Sequence, residues 1–145
     1  MPDIETDSGA AGAGSAFVPL GRFPVEADRE AVADYRLATA LAGSDIIPED
    51  VRVPPLFPVI WLGRPDVRDA VYAVLGEDRL PVQTGYRMIF GSDVAEGGRY
   101  VMSLGYRALA DDRFEFAAIV EAPDTIRVAE MHIEILMIGD GAGGP

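Results

Sequence analysis

The sequence predicts an α+β domain in which helices come first and a run of antiparallel strands follows. Three observations carry this. Apolar residues recur at helical spacing across residues 26–43, and an apolar run follows a double proline at 54–62. Beyond residue 83 the chain is strand-like, with turn-forming residues between the runs. At 145 residues the chain has room for one core, and 49% hydrophobic with 25% charged residues is the balance of a folded globular protein.

Each element has its own signal. Residues 17–23 read as a short extended start. In "EADREAVADYRLATALAG" (26–43), Asp28 is the expected N-cap, Val32, Tyr35, Ala38 and Leu41 share a face, and Gly43 is the expected stop. In "PPLFPVIWLGRPDVRDAVYAVLG" (54–76) the first part is apolar almost all round, as a buried helix is. Gly63-Arg64-Pro65 should break it, with Pro65 opening a second helical piece to about Leu75. Strands are expected at 83–90, 99–109, 113–121 and 125–138, the middle two forming a hairpin around Ala110-Asp111-Asp112. In the last strand Ala129, Met131, Ile133, Ile135 and Met137 share one face, and Glu130, His132 and Glu134 the other. The Gly- and Ala-rich stretches 1–16 and 139–145 are expected to be disordered tails around one domain at 17–138.

Composition excludes whole classes of chemistry. A net charge of −12 argues against nucleic acid, which needs a basic footprint. No apolar run approaches the length of a membrane span, and residues 1–16 lack the basic start and apolar centre of a signal peptide, so a cytoplasmic protein is expected. The chain has no Cys, no Lys and no Asn, and His132 is its only His. Thiolate nucleophiles, Schiff bases and thiolate metal sites are therefore out, and neither a metal nor a cofactor is expected. A serine triad would need His132 and a Gly-x-Ser-x-Gly elbow, which is absent. Carboxylates, tyrosines and one histidine remain.

Three segments, "ADYRLATALAG" running into Asp45, "PPLFPVIW" (54–61) and "VAEGGRYVMS" (94–103), resemble the MaoC-like (3R)-hydroxyacyl-thioester dehydratases and enoyl hydratases. The resemblance spans residues 23–138. It implies a hotdog fold, in which a curved antiparallel sheet wraps around a long central helix. It also implies an acyl-thioester ligand on coenzyme A or acyl-carrier protein, and paired subunits, as a homodimer or as a heterodimer with a related hotdog chain. The family's signature, Gly-Asp-x-Asn-Pro-x-His, falls at "AGSDIIPED" (42–50). With one residue inserted after Gly43, Asp45 and Pro48 keep the Asp and Pro, while Ile47 and Asp50 replace the Asn and His. In the family that Asp and His handle the water, and backbone N–H groups at the start of the central helix hold the thioester carbonyl.

The loss of His matters because imidazole exchanges protons near neutral pH, whereas an ordinary carboxylate stays ionised. Asp45 and Asp50 are thus either a coupled acid–base pair or a solvated turn. His132, flanked by Glu130 and Glu134, is either a substitute base or a histidine on the outer sheet face. Pro55, Phe57 and Trp61 either pack the core or wall an acyl tunnel, and Gln83 and Tyr86 open the strand expected near the substrate mouth. Three functions follow: a dehydratase or hydratase subunit whose related partner carries the Asp/His pair; a stand-alone hotdog enzyme of polyketide-type biosynthesis catalysing dehydration, cyclisation or thioester cleavage on a hydrophobic ligand; or a non-enzymatic small-ligand binding module.

Overall fold

The computed structural model describes residues 16–41 and 53–139. Its elements run β1 (Val18–Glu26), α1 (Arg29–Leu41), a 3-10 segment (Phe57–Gly63), α2 (Pro65–Leu75), β2 (Leu80–Phe90), β3 (Arg99–Ala110), β4 (Arg113–Glu121) and β5 (Arg127–Ile138). Asp28 caps α1: its Oδ2 accepts the N–H groups of Glu30 and Ala31, each at 3.1 Å. Pro65 is the first residue of α2, where its missing N–H costs nothing. Gly76, at φ 76°, closes that helix by donating its N–H to Tyr72 O at 2.8 Å.

One expectation changes in detail. The apolar run after the double proline is a 3-10 segment, not an α-helix, held by bonds from Phe57 N to Pro54 O and from Val59 N to Leu56 O. Pro65 limits the segment: it holds Arg64 extended at ψ 144° and leaves only seven residues, Phe57–Gly63, before the break. The break at Gly63-Arg64-Pro65 falls where the sequence places it. The run is therefore two short pieces, Phe57–Gly63 and Pro65–Leu75, joined through an extended Arg64.

The five strands form one antiparallel sheet in the order β1-β3-β4-β5-β2, so β1 and β2 are the edges. Registers such as Leu104↔Ala118 and Ala118↔Met131 align the apolar faces of β3, β4 and β5 on one side. There they bury Phe57, Trp61 and Val67 of the helical layer together with Val32 of α1. The opposite, outer face carries Arg107, Glu115, Glu130, His132 and Arg87. Among the described residues no helix is long and apolar enough to cross a membrane.

Two glycines permit close backbone approach. A Cβ on Gly91 would lie 2.2 Å from the carbonyl oxygen of Arg127, and one on Gly105 would lie 3.1 Å from that of Val18. The second contact lets the chain before β1 fold over the outer face.

Candidate functional site

On the helix side, an aromatic row runs inward from α1. Tyr35 meets Phe57 edge-on with ring centroids 5.7 Å apart, Phe57 meets Trp61 at 5.6 Å, and Trp61 meets Tyr100 at 6.1 Å. Phe57 is wholly buried and Trp61 is 4% exposed, with its indole N–H donating to Glu26 O at 3.3 Å. Both rings support the floor of this side. Val53 is also in this core. Asp45 and Asp50, the altered signature residues, lie outside the described residues.

The open end of the helix side is the edge strand β2. Tyr86 is 40% exposed there, pairs in register with Ile133, and sets its hydroxyl 3.4 Å from Met88 Sδ. Burial, and secondarily the nearby Tyr35 phenol, pushes its hydroxyl above the usual tyrosine range. Tyr86 is thus a neutral hydroxyl at working pH, able to donate one hydrogen bond and accept another. Gln83 and Pro55 are both exposed. The structure brings Phe57 and Trp61 together, sets Tyr86 at the sheet edge, and does not gather Pro55 or Gln83 into a contact with them.

The outer face holds the described residues' most connected polar cluster. His132 Nδ1 lies 2.8 Å from Glu115 Oε2 and Nε2 lies 2.7 Å from Glu130 Oε2, with the His132 side chain only 12% exposed. Arg107 binds Glu115 Oε1 through Nε at 2.9 Å and through a terminal nitrogen at 2.7 Å. Arg127 pairs with Glu130 at 2.9 Å. Phe17 folds over this group: its ring meets His132 edge-on at 6.3 Å, and the Arg107 guanidinium lies 4.8 Å from its centroid. Burial pushes the Glu115 carboxyl up, but hydrogen bonds and charge from Arg107 and His132 outweigh it and hold the carboxyl below its ordinary range. Beside the cluster is an open groove of about 310 Å³, lined in part by Gly85, Arg87, His132 and Glu134.

The sequence places His132 and Glu130 on one strand face, and they are there. Glu134 instead pairs with Arg113 at 3.0 Å, and the second carboxylate on the imidazole is Glu115. Sequence reasoning missed Glu115 and Arg107. Their signal was the hairpin, because a turn at 110–113 sets Arg107 opposite Glu115 once one bulge is allowed. Both imidazole nitrogens are engaged on the face away from the helices, so His132 does not reach the helix side. Among the described residues no group of three or more His, Asp or Glu is arranged to hold a metal ion.

No protein-family model matches the sequence, and neither does any curated protein. Solved structures do match. A chain of the HadBC (3R)-hydroxyacyl-ACP dehydratase complex from Mycobacterium tuberculosis superposes with a TM-score of 0.63 at 16% identity, covering 83% of this chain and 96% of that one. The R-hydratase PhaJ1 from Pseudomonas aeruginosa gives 0.56 at 11%, covering 83% and 80%. The protein smu.793 from Streptococcus mutans, bound to acetyl-CoA, gives 0.58 at 8%, covering 88% and 93%. At these identities the likeness establishes architecture, and it does so over most of both chains. The chain has the hotdog fold of the MaoC-like dehydratases and hydratases, the family that its three sequence segments resemble.

Proposed function

We infer that this chain is an acyl-thioester-binding subunit of a dehydratase or hydratase, that it forms part of the pocket wall, and that a related hotdog chain paired with it supplies the acid–base residues. One observation carries the reading: the only imidazole of the chain is held between Glu115 and Glu130 on the outer face. Moving a proton at neutral pH within an acyl pocket on the helix side then falls to another chain. Asp45 and Asp50 enter this reading as pocket carboxylates beside the thioester, and His132 as a structural group.

In this reading Tyr86 contributes to the wall, and the buried Phe57 and Trp61 rings support it from the core. An acyl chain is bound by apolar surface and oriented by few polar groups. Tyr86, neutral and half-exposed on the β2 edge, is such a group, and Gln83 and Pro55 are proposed as further contacts of the acyl thioester. Pairing falls to β2. The β1 edge is blunted by Pro19, Pro24 and a register shift, whereas β2, despite Pro81 and a shift at Gln83/Gly85, runs from Gly85 to Phe90 in regular register without proline. That edge exposes Leu80, Tyr86, Ile89 and Phe90, apolar area that a second sheet would cover. Complexes and CoA-bound proteins among the structural matches support both halves of the reading.

The test is binding together with complementation. Purified chain should bind butyryl-CoA or a longer saturated acyl-CoA by calorimetry, and Tyr86→Phe should weaken that binding about three- to tenfold, the loss of one hydrogen bond. Adding a hotdog chain with an intact Asp-x-Asn-Pro-x-His should give hydration of enoyl-CoA. Release of free thiol from an acyl-CoA by the chain alone would contradict the subunit reading and favour a stand-alone thioester-cleaving enzyme.

A further inference from the structure

We propose that Tyr35 of α1 and Tyr86 of β2 together form a two-phenol site for the carbonyl oxygen of the thioester, so that this chain holds its ligand by hydroxyl donors and not by backbone N–H groups. This rests on the subunit reading above and adds to it Tyr35 and the ligand atom that the pair holds. The two rings come from separate elements of the helix side. Tyr86 stands in register with Ile133, which itself pairs with Phe116 of the core, so the Tyr86 side chain lies on the face of the sheet that meets the helical layer. Tyr35 is half-buried on α1, and its edge-on contact with the wholly buried Phe57, at 5.7 Å between centroids, fixes the direction of its ring. Burial first, and the Tyr35 phenol second, push the Tyr86 hydroxyl up, which marks the two phenols as neighbours.

Both hydroxyls have a hydrogen to give. The Tyr86 hydroxyl rests 3.4 Å from Met88 Sδ, a thioether and hence a weak acceptor that a carbonyl oxygen displaces. The Tyr35 hydroxyl makes no hydrogen bond among the described residues. The donors that the family resemblance places at the start of the central helix are, by contrast, depleted in this chain. Pro54, Pro55 and Pro58 carry no N–H, and Phe57 and Val59 spend theirs on Pro54 O and Leu56 O at 2.9 and 3.0 Å. The 3-10 segment to which they lead has only seven residues, too few to sum the dipole of a long helix. A thioester carbonyl oxygen accepts hydrogen bonds and donates none. Two phenol hydroxyls match it, one to each lone pair, without burying a charge.

Butyryl-CoA and its thioether analogue S-butyl-CoA, which lacks the carbonyl, serve as the probes, with binding read by calorimetry. Wild type should favour butyryl-CoA. Tyr35→Phe and Tyr86→Phe should each weaken butyryl-CoA binding about three- to tenfold and leave S-butyl-CoA unchanged, because phenylalanine keeps the ring and loses only the hydroxyl. The infrared carbonyl band of bound, isotope-labelled butyryl-CoA should move to higher frequency in each variant, as a carbonyl does when it loses a donor. Tyr35→Phe binding butyryl-CoA as tightly as wild type would overturn the proposal. So would an equal loss for both ligands, which is the mark of lost packing. Binding of both ligands by wild type with no preference for the carbonyl rejects the phenol pair alone. Binding of neither rejects the subunit reading, and the pair with it.

Discussion

Glu115 is the residue on which the outer face turns, since it takes hydrogen bonds from Arg107 on one oxygen and faces His132 with the other. Its folded carboxyl sits below its ordinary range, so it contributes stability above the unfolded value, and that contribution is lost as pH falls. Wild type should therefore lose stability from about pH 5 downward, more steeply than Glu115→Gln, with denaturant unfolding at several pH values as the measurement. Parallel slopes in the two proteins would remove Glu115 from the acid response. His132→Gln should lower stability by about 1–3 kcal/mol, because it leaves two half-buried carboxylates without their shared partner. The same variant should bind acyl-CoA with unchanged affinity, since the imidazole lies on the other side of the sheet. A loss of binding equal to that of a pocket variant would place His132 in the site instead.

The elements show how local chemistry sets the frame. Phe57 is wholly buried between Tyr35 and Trp61, so Phe57→Ala should cost about 3–5 kcal/mol in chemical denaturation. Gly91→Ala should also destabilise, by about 1–3 kcal/mol, because its Cβ would meet the backbone of Arg127 and one strand end would have to shift. A wild-type-like midpoint for Gly91→Ala would mean that the β2–β5 junction adjusts freely. Much of this frame was legible in the sequence. Asp28 as a cap, Pro65 as a helix start, the β3–β4 hairpin and the alternation of β5 all follow from one-residue rules, and the structure carries each of them. The 3-10 segment was misread as an α-helix because hydrophobicity all round signals burial and not helix type, and the break at Arg64-Pro65 leaves the segment short. The Glu115–His132 contact was not legible, because it depends on the β4–β5 register, which shifts at Val120/Glu121 where no local pattern announces it.

For the whole molecule, the sheet has one face packed against the helical layer, one face carrying the Glu115–His132 cluster, and a long exposed edge at β2. The sequence reached the fold through segment order and spacing, since residues 42–50 keep Asp45 and Pro48 of a hydratase signature and lose its Asn and His. It left the chemistry open, because the position of His132 relative to the helices is set by long-range pairing of β4 with β5. With that position known, the division of labour between two chains becomes the central claim. Its most direct test is the hydration of crotonyl-CoA and longer enoyl-CoA thioesters by the purified chain alone, followed at the absorbance of the conjugated thioester. The account predicts binding with no hydration above the uncatalysed rate. Sustained hydration by this chain alone, abolished by His132→Gln in a protein that still folds, would contradict it.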